Sequence, residues 1–276
     1  MIDPADSDQL FDLMRRHRIQ LKHRLGQNFL IDPGARDAVA EAAGITPEDD
    51  VTEVGAGVGT LTIALARHAR TVRAVELDRT LIPALREVVS PLANVEVINA
   101  DILAYDASIA GQVIAGNIPY SLTGALIEKL LQPEPRPKRL SLVVQKEVAE
   151  RWTASTSASL STVAVQVFAT ARIAMTIPAS AFTPPPRVDS ALVLLEVRER
   201  PAVNVDDMNA FLRFVEAAFQ FRRKQLGGAL GRISGRGSTE AAARLRDTGI
   251  DPQRRPQTLT LAEWEAIFRS FAASGR

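Results

Sequence analysis

Asn117, Pro119 and Tyr120 are crowded into GNIPY (116–120), directly after the apolar run Val113-Ile114-Ala115. A turn uses Asn and Pro for their backbone preferences. A side-chain amide beside an aromatic face also suits a planar ring that carries an amino group. The Asn117 side-chain oxygen and the backbone carbonyl of Ile118 or Pro119 can accept hydrogen bonds from amino hydrogens. Tyr120 offers a face on which an extruded base can stack, a contact of roughly 1–3 kcal/mol. An amino nitrogen conjugated to a ring is a poor nucleophile, because its lone pair is delocalised. Holding its hydrogens favours a more tetrahedral nitrogen and aims the lone pair at an electrophile. Alone, NIPY is equally an Asn-Pro turn with a core tyrosine, so its surroundings must decide.

A second set of residues could hold the electrophile. Glu53-Val54-Gly55-Ala56-Gly57-Val58-Gly59 follows one apolar run and opens a helical one. Glycines there let the backbone turn sharply and approach a ligand closely. The dinucleotide fingerprint is G-x-G-x-x-G, whereas here Thr60 takes the sixth position. E-x-G-x-G-x-G is the usual mark of enzymes that use S-adenosylmethionine (SAM). Glu76 lies 21 residues after Gly55, where an acid can accept from both ribose hydroxyls of an adenosine. Asp101, in NADIL, could bind the adenine amino group. Each acid alone is more often a strand-end cap; acids and loop on successive strand ends form a joint pattern.

These residues need a parallel sheet to bring them together. Residues 51–54, 71–76, 95–99, 113–115 and 140–145 read as strands. Helical patterns lie between them in TLTIALARHA, TLIPALREVVS and SLTGALIEKLL. Pro83 is tolerable only in a first turn, and Ser121 and Thr123 are candidate caps. Strands alternating with helices at this spacing predict βαβ units and a ligand site on the carboxyl edge. VAVQVFATA and IAMTI then read as neighbouring strands, and ALVLLEV as another. Beyond about residue 200 the patterns are helical, in FLRFVEAAFQF, STEAAARLRDTG and LAEWEAIFRSF. The expected organisation is an α/β domain over 21–198 and a small, basic, helical C-terminal domain over 199–276. Residues 1–20 are an extension whose order the sequence leaves open.

Composition narrows the class. The 276 residues are 46% hydrophobic and 24% charged, ordinary for a globular protein with a real core. No run is long and apolar enough to predict a membrane span, and the N-terminus lacks the apolar stretch of a secretory signal. With no cysteine and only three scattered histidines, no metal site is expected. A cytoplasmic protein is the default expectation. The net charge of +1 conceals an uneven distribution: residues 15–24 hold five Lys/Arg and no acid, and residues 222–256 hold nine against three acids. Either cluster alone is more simply a solvated face. Two of them flanking a catalytic-looking middle point toward a phosphate-rich partner.

NIPY fits the [N/D/S]-P-P-[Y/F/W]-like motif of enzymes that methylate such amino nitrogens. The chain resembles the small-subunit (16S) ribosomal RNA adenine N6,N6-dimethyltransferases, from about Leu25 to the C-terminus. The resemblance is carried by LGQNFLID (25–32), EVGAGVGTLT (53–62), VELD (75–78), NAD (99–101), GNIPY, VVQKEVAERW (143–152), AFTPPPRVDSA (181–191) and AFQFRRKQL (218–226). It implies a Rossmann-like SAM-dependent methyltransferase sheet. It also implies that Asn28 and Leu30 border the cofactor, with Gly55, Gly57, Glu76, Asp101 and Asn117 as further contacts. Phe182 would stack on the target adenine opposite Tyr120, with Pro119 completing the catalytic motif. Two adjacent adenosines in a hairpin loop near the 3′ end of 16S rRNA would each be dimethylated, using four SAM. The partner implied is the small ribosomal subunit. Arg222, Arg223 and Lys224 on a C-terminal helix, with the 15–24 cluster, would contact phosphates. A monomer is expected.

The chain departs from the family in three places. Ala56 replaces a usual proline. TASTSASLS (153–161) is shorter than the family's stretch and lacks its lysine and tyrosine. The extension before Leu21 has no clear counterpart. The rival readings are a methyltransferase of large-subunit rRNA, a non-catalytic assembly factor on the same fold, an NAD-dependent dehydrogenase and a DNA adenine methyltransferase. FTPPPRVDSA with FRRK disfavours the first, intact NIPY and glycine loop the second, and Thr60 the third. The fourth lacks a domain dedicated to reading DNA sequence.

Overall fold

Apolar runs that stop at a glycine or a polar residue become strands whose ends converge. The computed structural model describes residues 2–22, 26–105, 109 and 111–272. His23, Arg24 and Leu25, which belong to the basic run and to LGQNFLID, lie outside the described residues. The chain opens with α1 (Ser7–Arg16), β1 (Phe29–Leu30) and α2 (Pro33–Ala42). It then alternates through β2 (Asp50–Val54), α3 (Thr60–Ala66), β3 (Thr71–Glu76), α4 (Ile82–Val89), β4 (Val95–Asn99), β5 (Val113–Asn117), α5 (Thr123–Leu131) and β6 (Arg139–Gln145). Next come α6 (Lys146–Thr153), α7 (Leu160–Phe168), β7 (Ala169–Ile177), β8 (Phe182–Thr183) and β9 (Ser190–Val197). The remainder is helical: α8 (Met208–Gln220), α9 (Leu226–Ser234), α10 (Gly237–Asp247) and α11 (Leu261–Ala272). No helix among the described residues is long and apolar enough to cross a membrane.

The main sheet has seven strands in the order β4-β3-β2-β5-β6-β9-β7. β2 pairs in parallel with both β3 and β5, while β9 runs antiparallel to β6. From β2 the chain steps outward to β3 and β4, then returns to β5 on the other side and continues to β6. That reversal opens a crevice at the carboxyl ends of β2 and β5, where open α/β sheets take their ligands. The central strands β2, β5 and β6 are buried along most of their length rather than at alternate residues, because both faces are covered. Gly116 is sterically required at this junction: with φ of 157°, a Cβ there would lie 2.4 Å from the Val54 carbonyl oxygen.

The chain divides into two units, residues 1–150 with 171–197, and residues 151–170 with 198–276. This differs from the expected single boundary near 199, because residues 151–170 fold with the helical C-terminal part. The Ser157 N–H donates to the Leu259 carbonyl at 2.7 Å, and the Arg198 N–H to the Phe168 carbonyl at 2.7 Å. The core of this second unit is aromatic, with Phe211 packed edge-on against Phe268 at 5.5 Å and Trp264 fully buried.

Two local expectations are corrected. Val163, Val165 and Val167 alternate as in a strand, yet residues 160–168 are α7. Ser159 caps it by accepting from the Thr162 N–H, and both apolar faces are buried. The short 153–161 stretch therefore ends in a helix cap. At α5, neither Ser121 nor Thr123 caps: the helix follows Leu122 without a side-chain cap, and the Leu122 N–H donates instead to the Pro119 carbonyl at 2.8 Å. The question left open for residues 1–20 is also answered. Asp6 caps α1, and Leu10 and Leu13 are fully buried in a cluster with Val58, Leu81 and Leu85.

Candidate active site

The crevice at the strand ends is a cavity of about 250 Å³. Its walls come from stretches that are far apart in sequence: the 26–30 segment, the glycine loop, the ends of β3 and β4, residues 117–120, and Phe182. Asn28, Leu30, Gly55, Gly57, Glu76 and Asp101 all line it, and so do Asn117, Pro119, Tyr120 and Phe182. Arg222, Arg223 and Lys224 do not. They are exposed in the second unit, in the turn between α8 and α9 rather than on a helix as expected. α8 stops at Gln220, and α9 begins only at Leu226.

The glycine loop takes left-handed backbone angles at Gly55, Gly57 and Gly59, with φ of 72°, 61° and 94°. At Gly57 a Cβ would also meet the Phe29 ring at 3.0 Å, so the glycine lets the 26–30 wall close onto the loop. Glu76 ties loop to strand. One carboxylate oxygen accepts from the Gly57 N–H at 2.8 Å, the other from the Asp78 N–H at 2.7 Å. Burial raises its pKa, against the lowering effect of those backbone hydrogen bonds. The Leu77 N–H also contributes to this lowering, and the carboxylate keeps acceptor capacity for a ligand hydroxyl. Asp101 is partly committed: its Oδ1 accepts from the Leu103 N–H at 2.9 Å, the strand-end cap of the simpler reading, and Oδ2 has no described partner.

The amide of Asn117 is oriented by its neighbour. Its Nδ2 donates to the Asn28 carbonyl at 3.0 Å, and Asn28 Nδ2 donates to the Gly26 carbonyl at 3.1 Å. One Nδ2 hydrogen is thus engaged, which fixes the orientation of the amide and leaves Oδ1 as an acceptor. Of the two backbone carbonyls expected to assist, that of Pro119 already accepts from Leu122, so Ile118 has the freer one. The Tyr120 hydroxyl lies 3.2 Å from that of buried Ser190, and burial raises its pKa. Phe182 is reached through pairing that no local pattern announces. β1 and β8 form a two-stranded antiparallel ribbon in which Leu30 opposes Phe182.

Three features of the cavity were not foreseen. Glu53 is fully buried beneath it, and its carboxyl is pushed up to about 7 by burial and by repulsion from Glu76, against the Thr62 hydroxyl that donates to it at 2.5 Å. Asp78, the last residue of VELD, gathers Lys22 and Gln27. Ser190 supports Tyr120. Glu53 lies in EVGAGVGTLT, Asp78 in VELD, Gln27 in LGQNFLID and Ser190 in AFTPPPRVDSA, but the motifs did not announce these contacts. The 15–24 cluster is also less free than its composition suggests. Arg15 and Arg16 pair with Asp12, Arg16 and His17 with Glu87, and Lys22 with Asp78.

Against known families, residues 18–273 match the model of the ribosomal RNA adenine dimethylases. The chain belongs to that family. Among curated members, the ribosomal RNA small subunit methyltransferase A of Pelotomaculum thermopropionicum is 42% identical, covering 100% of this chain and 99% of the relative. That of Geobacillus kaustophilus is 36% identical, covering 98% and 97%. Of solved structures, the 23S rRNA methyltransferase ErmE is 28% identical with a TM-score of 0.69, covering 89% of this chain and all of that one. A dimethyladenosine transferase from Plasmodium falciparum shares the fold at a TM-score of 0.72 and 24% identity, over 88% and 97%. The protein is therefore an rRNA adenine dimethyltransferase that uses SAM. The cavity's lining fits that cofactor: Glu76 and Asp101 are acceptors suited to ribose hydroxyls and an adenine amino group, and Gly55 and Gly57 let the loop backbone approach a ligand closely.

Proposed function

We propose that this dimethylase converts two adjacent adenosines in the 3′-terminal hairpin loop of small-subunit (16S) rRNA to N6,N6-dimethyladenosine during ribosome biogenesis, acting as a monomer on the small ribosomal subunit. The observation that carries the chemistry is the Asn117 amide, whose donor end is held by the Asn28 carbonyl in the cavity that Tyr120 and Phe182 line. The small-subunit target is supported by the curated relatives, which are named for it and are more similar in sequence than ErmE, named for 23S rRNA.

SAM supplies a methyl group on a sulfonium sulfur, which leaves as a neutral thioether. Asn117 Oδ1 and the Ile118 carbonyl accept hydrogen bonds from the adenine amino group. They favour the tetrahedral nitrogen and orient its lone pair. Tyr120 and Phe182 hold the extruded ring, at a stacking gain of roughly 1–3 kcal/mol per base. A loop adenine is already partly unstacked, which lowers the cost of extrusion. No strong base is needed, because the proton leaves after the nitrogen has become cationic. Leu30, Gly55, Gly57, Glu76 and Asp101 hold the cofactor. Arg222, Arg223 and Lys224, exposed and without side-chain ion pairs among the described residues, contact RNA phosphates.

The test is transfer of labelled methyl from SAM to purified undermethylated small subunits, with large subunits and naked DNA in parallel, followed by nucleoside analysis. Dimethyladenosine from small subunits alone is expected. Label in large-subunit rRNA would overturn the target assignment in favour of the ErmE-like one.

A further inference from the structure

The 26–30 wall has few regular anchors. At its far end it is held by the β1–β8 ribbon, only two residues long. At its near end, among the described residues, the carboxylate that holds Gln27 is that of Asp78. Asp78 lies just past the end of β3, with its side chain 2% exposed. Its Oδ1 accepts from Lys22 Nζ at 2.7 Å, from the Thr80 N–H at 3.0 Å and from the Thr80 hydroxyl at 2.7 Å. Its Oδ2 accepts from Gln27 Nε2 at 2.9 Å. Gln27 in turn accepts the Lys22 N–H at 2.7 Å. Burial alone would raise this carboxyl, but the hydrogen bonds from Lys22, Thr80 and Gln27 outweigh it and hold it at about 2. The group is a buried, fully engaged anion with a cationic partner.

The backbone of Asp78 belongs to the same connection, because its N–H donates to Glu76, which also accepts from Gly57. One path of hydrogen bonds therefore runs from Gln27 through Asp78 and Glu76 to the glycine loop. It joins three walls of the cavity that the sequence separates by tens of residues. On the other side of Gln27, the Asn28 carbonyl receives the amide of Asn117. A shift of the wall would displace both the surface against the cofactor and the group that orients the catalytic amide.

We infer that Asp78 is a positioning residue: through Lys22 and Gln27 it sets the Gly26–Leu30 wall against the turn that carries Glu76, and so sets cofactor affinity without touching the cofactor. This rests on the reading of the cavity as the SAM site, with Glu76 as a direct contact.

A control of like chemistry, though more exposed at 28%, exists at the opposite end of β2. Asp50 is also a hydrogen-bonded carboxylate held at about 2, by Arg70 and Thr71, and it lies outside the cavity. SAM affinity by calorimetry and thermal unfolding without ligand are measured for wild type, Asp78→Asn, Asp50→Asn, Lys22→Met, the Lys22→Met/Asp78→Asn pair and Glu76→Ala. Asp78→Asn is nearly isosteric, so it is the variant that keeps the fold. It is expected to weaken SAM binding by roughly tenfold, in proportion to one charge-assisted hydrogen bond. Lys22→Met should add little on top of it, since both break one connection. Asp50→Asn should lower the unfolding temperature while leaving affinity within about twofold, as expected for a group with no path to the site. Wild-type affinity in Asp78→Asn with loss in Glu76→Ala would overturn the inference alone. Equal weakening by Asp50→Asn would overturn it too, because general destabilisation would then explain the effect. Wild-type affinity in Glu76→Ala would instead overturn the reading of the cavity on which it rests.

Discussion

The two basic regions of this chain look alike in composition and differ in what their charges meet. In 15–24, the cations at 15, 16 and 22 are answered by Asp12, Glu87 and Asp78. Those charges fasten α1 to α4 and Lys22 to the residue that follows β3 beside the cavity. In the second unit, Arg254, Arg236, Arg244 and Arg269 pair with glutamates, but Arg222, Arg223 and Lys224 stand exposed and without ion pairs among the described residues. A run of cations is a phosphate footprint only where the fold leaves it unanswered. In the first region, Arg18 alone of the described Lys and Arg residues lacks an ion pair. In the second, Arg222, Arg223 and Lys224 form a contiguous exposed run without one, the run proposed above to meet RNA phosphates.

The comparison can be tested at several points. The largest effect is expected for Asn117→Ala, which removes the amide that the N-terminal region orients. Methyl transfer in single turnover should fall roughly 10²–10³-fold, while subunit binding in a filter assay stays near wild type. Parallel loss of both would merge the two functions that the regions separate.

Glu53→Gln probes the cavity's buried charge in the absence of ligand. The folded pKa of Glu53, about 7, is above its ordinary value of 4.5. The folded state therefore holds the proton more tightly, and this group's stability is fully present below about 4.5. It is lost as pH rises to 7, by on the order of 3 kcal/mol. Asp49, Asp50 and Asp78 have lowered pKa values. Their stability is present above the ordinary carboxylate range and is lost as pH falls. The informative quantity is thus the difference between variant and wild type. Glu53→Gln should gain on wild type between pH 4.5 and 7 in thermal unfolding, and a constant difference would contradict a buried neutral acid.

Replacing Arg222, Arg223 and Lys224 together by alanine should weaken small-subunit binding roughly tenfold at moderate salt. It should also reduce the slope of log affinity against log salt by about two, with SAM binding unchanged. An unaltered slope would remove these residues from the RNA contact. The smallest effect is expected for Arg15→Ala. Arg15 is 81% exposed and pairs with Asp12 on the same helix, so subunit binding should change by less than about twofold. A loss as large as that of the triple variant would restore the first region as an RNA surface.

What the sequence determined by itself is everything carried by contiguous residues. The strands 51–54 through 140–145 are legible because each is a short run rich in β-branched residues, set between helical patterns. The glycine loop, Glu76, Asp101 and NIPY are legible because each sits at the end of such a run, and a parallel sheet brings those ends to one edge. The tertiary structure alone decided where a local pattern has two outcomes or where partners are distant. Val163, Val165 and Val167 fit a strand as well as they fit α7, and only burial on both faces with the Ser159 cap selects the helix. The pairing of Leu30 with Phe182, the hold of Asn28 on Asn117, and the grip of Asp78 on Lys22 and Gln27 each join residues more than fifty positions apart. No local periodicity encodes such contacts. They exist because the folded chain brings acceptors within reach of distant donors at partly or fully buried positions.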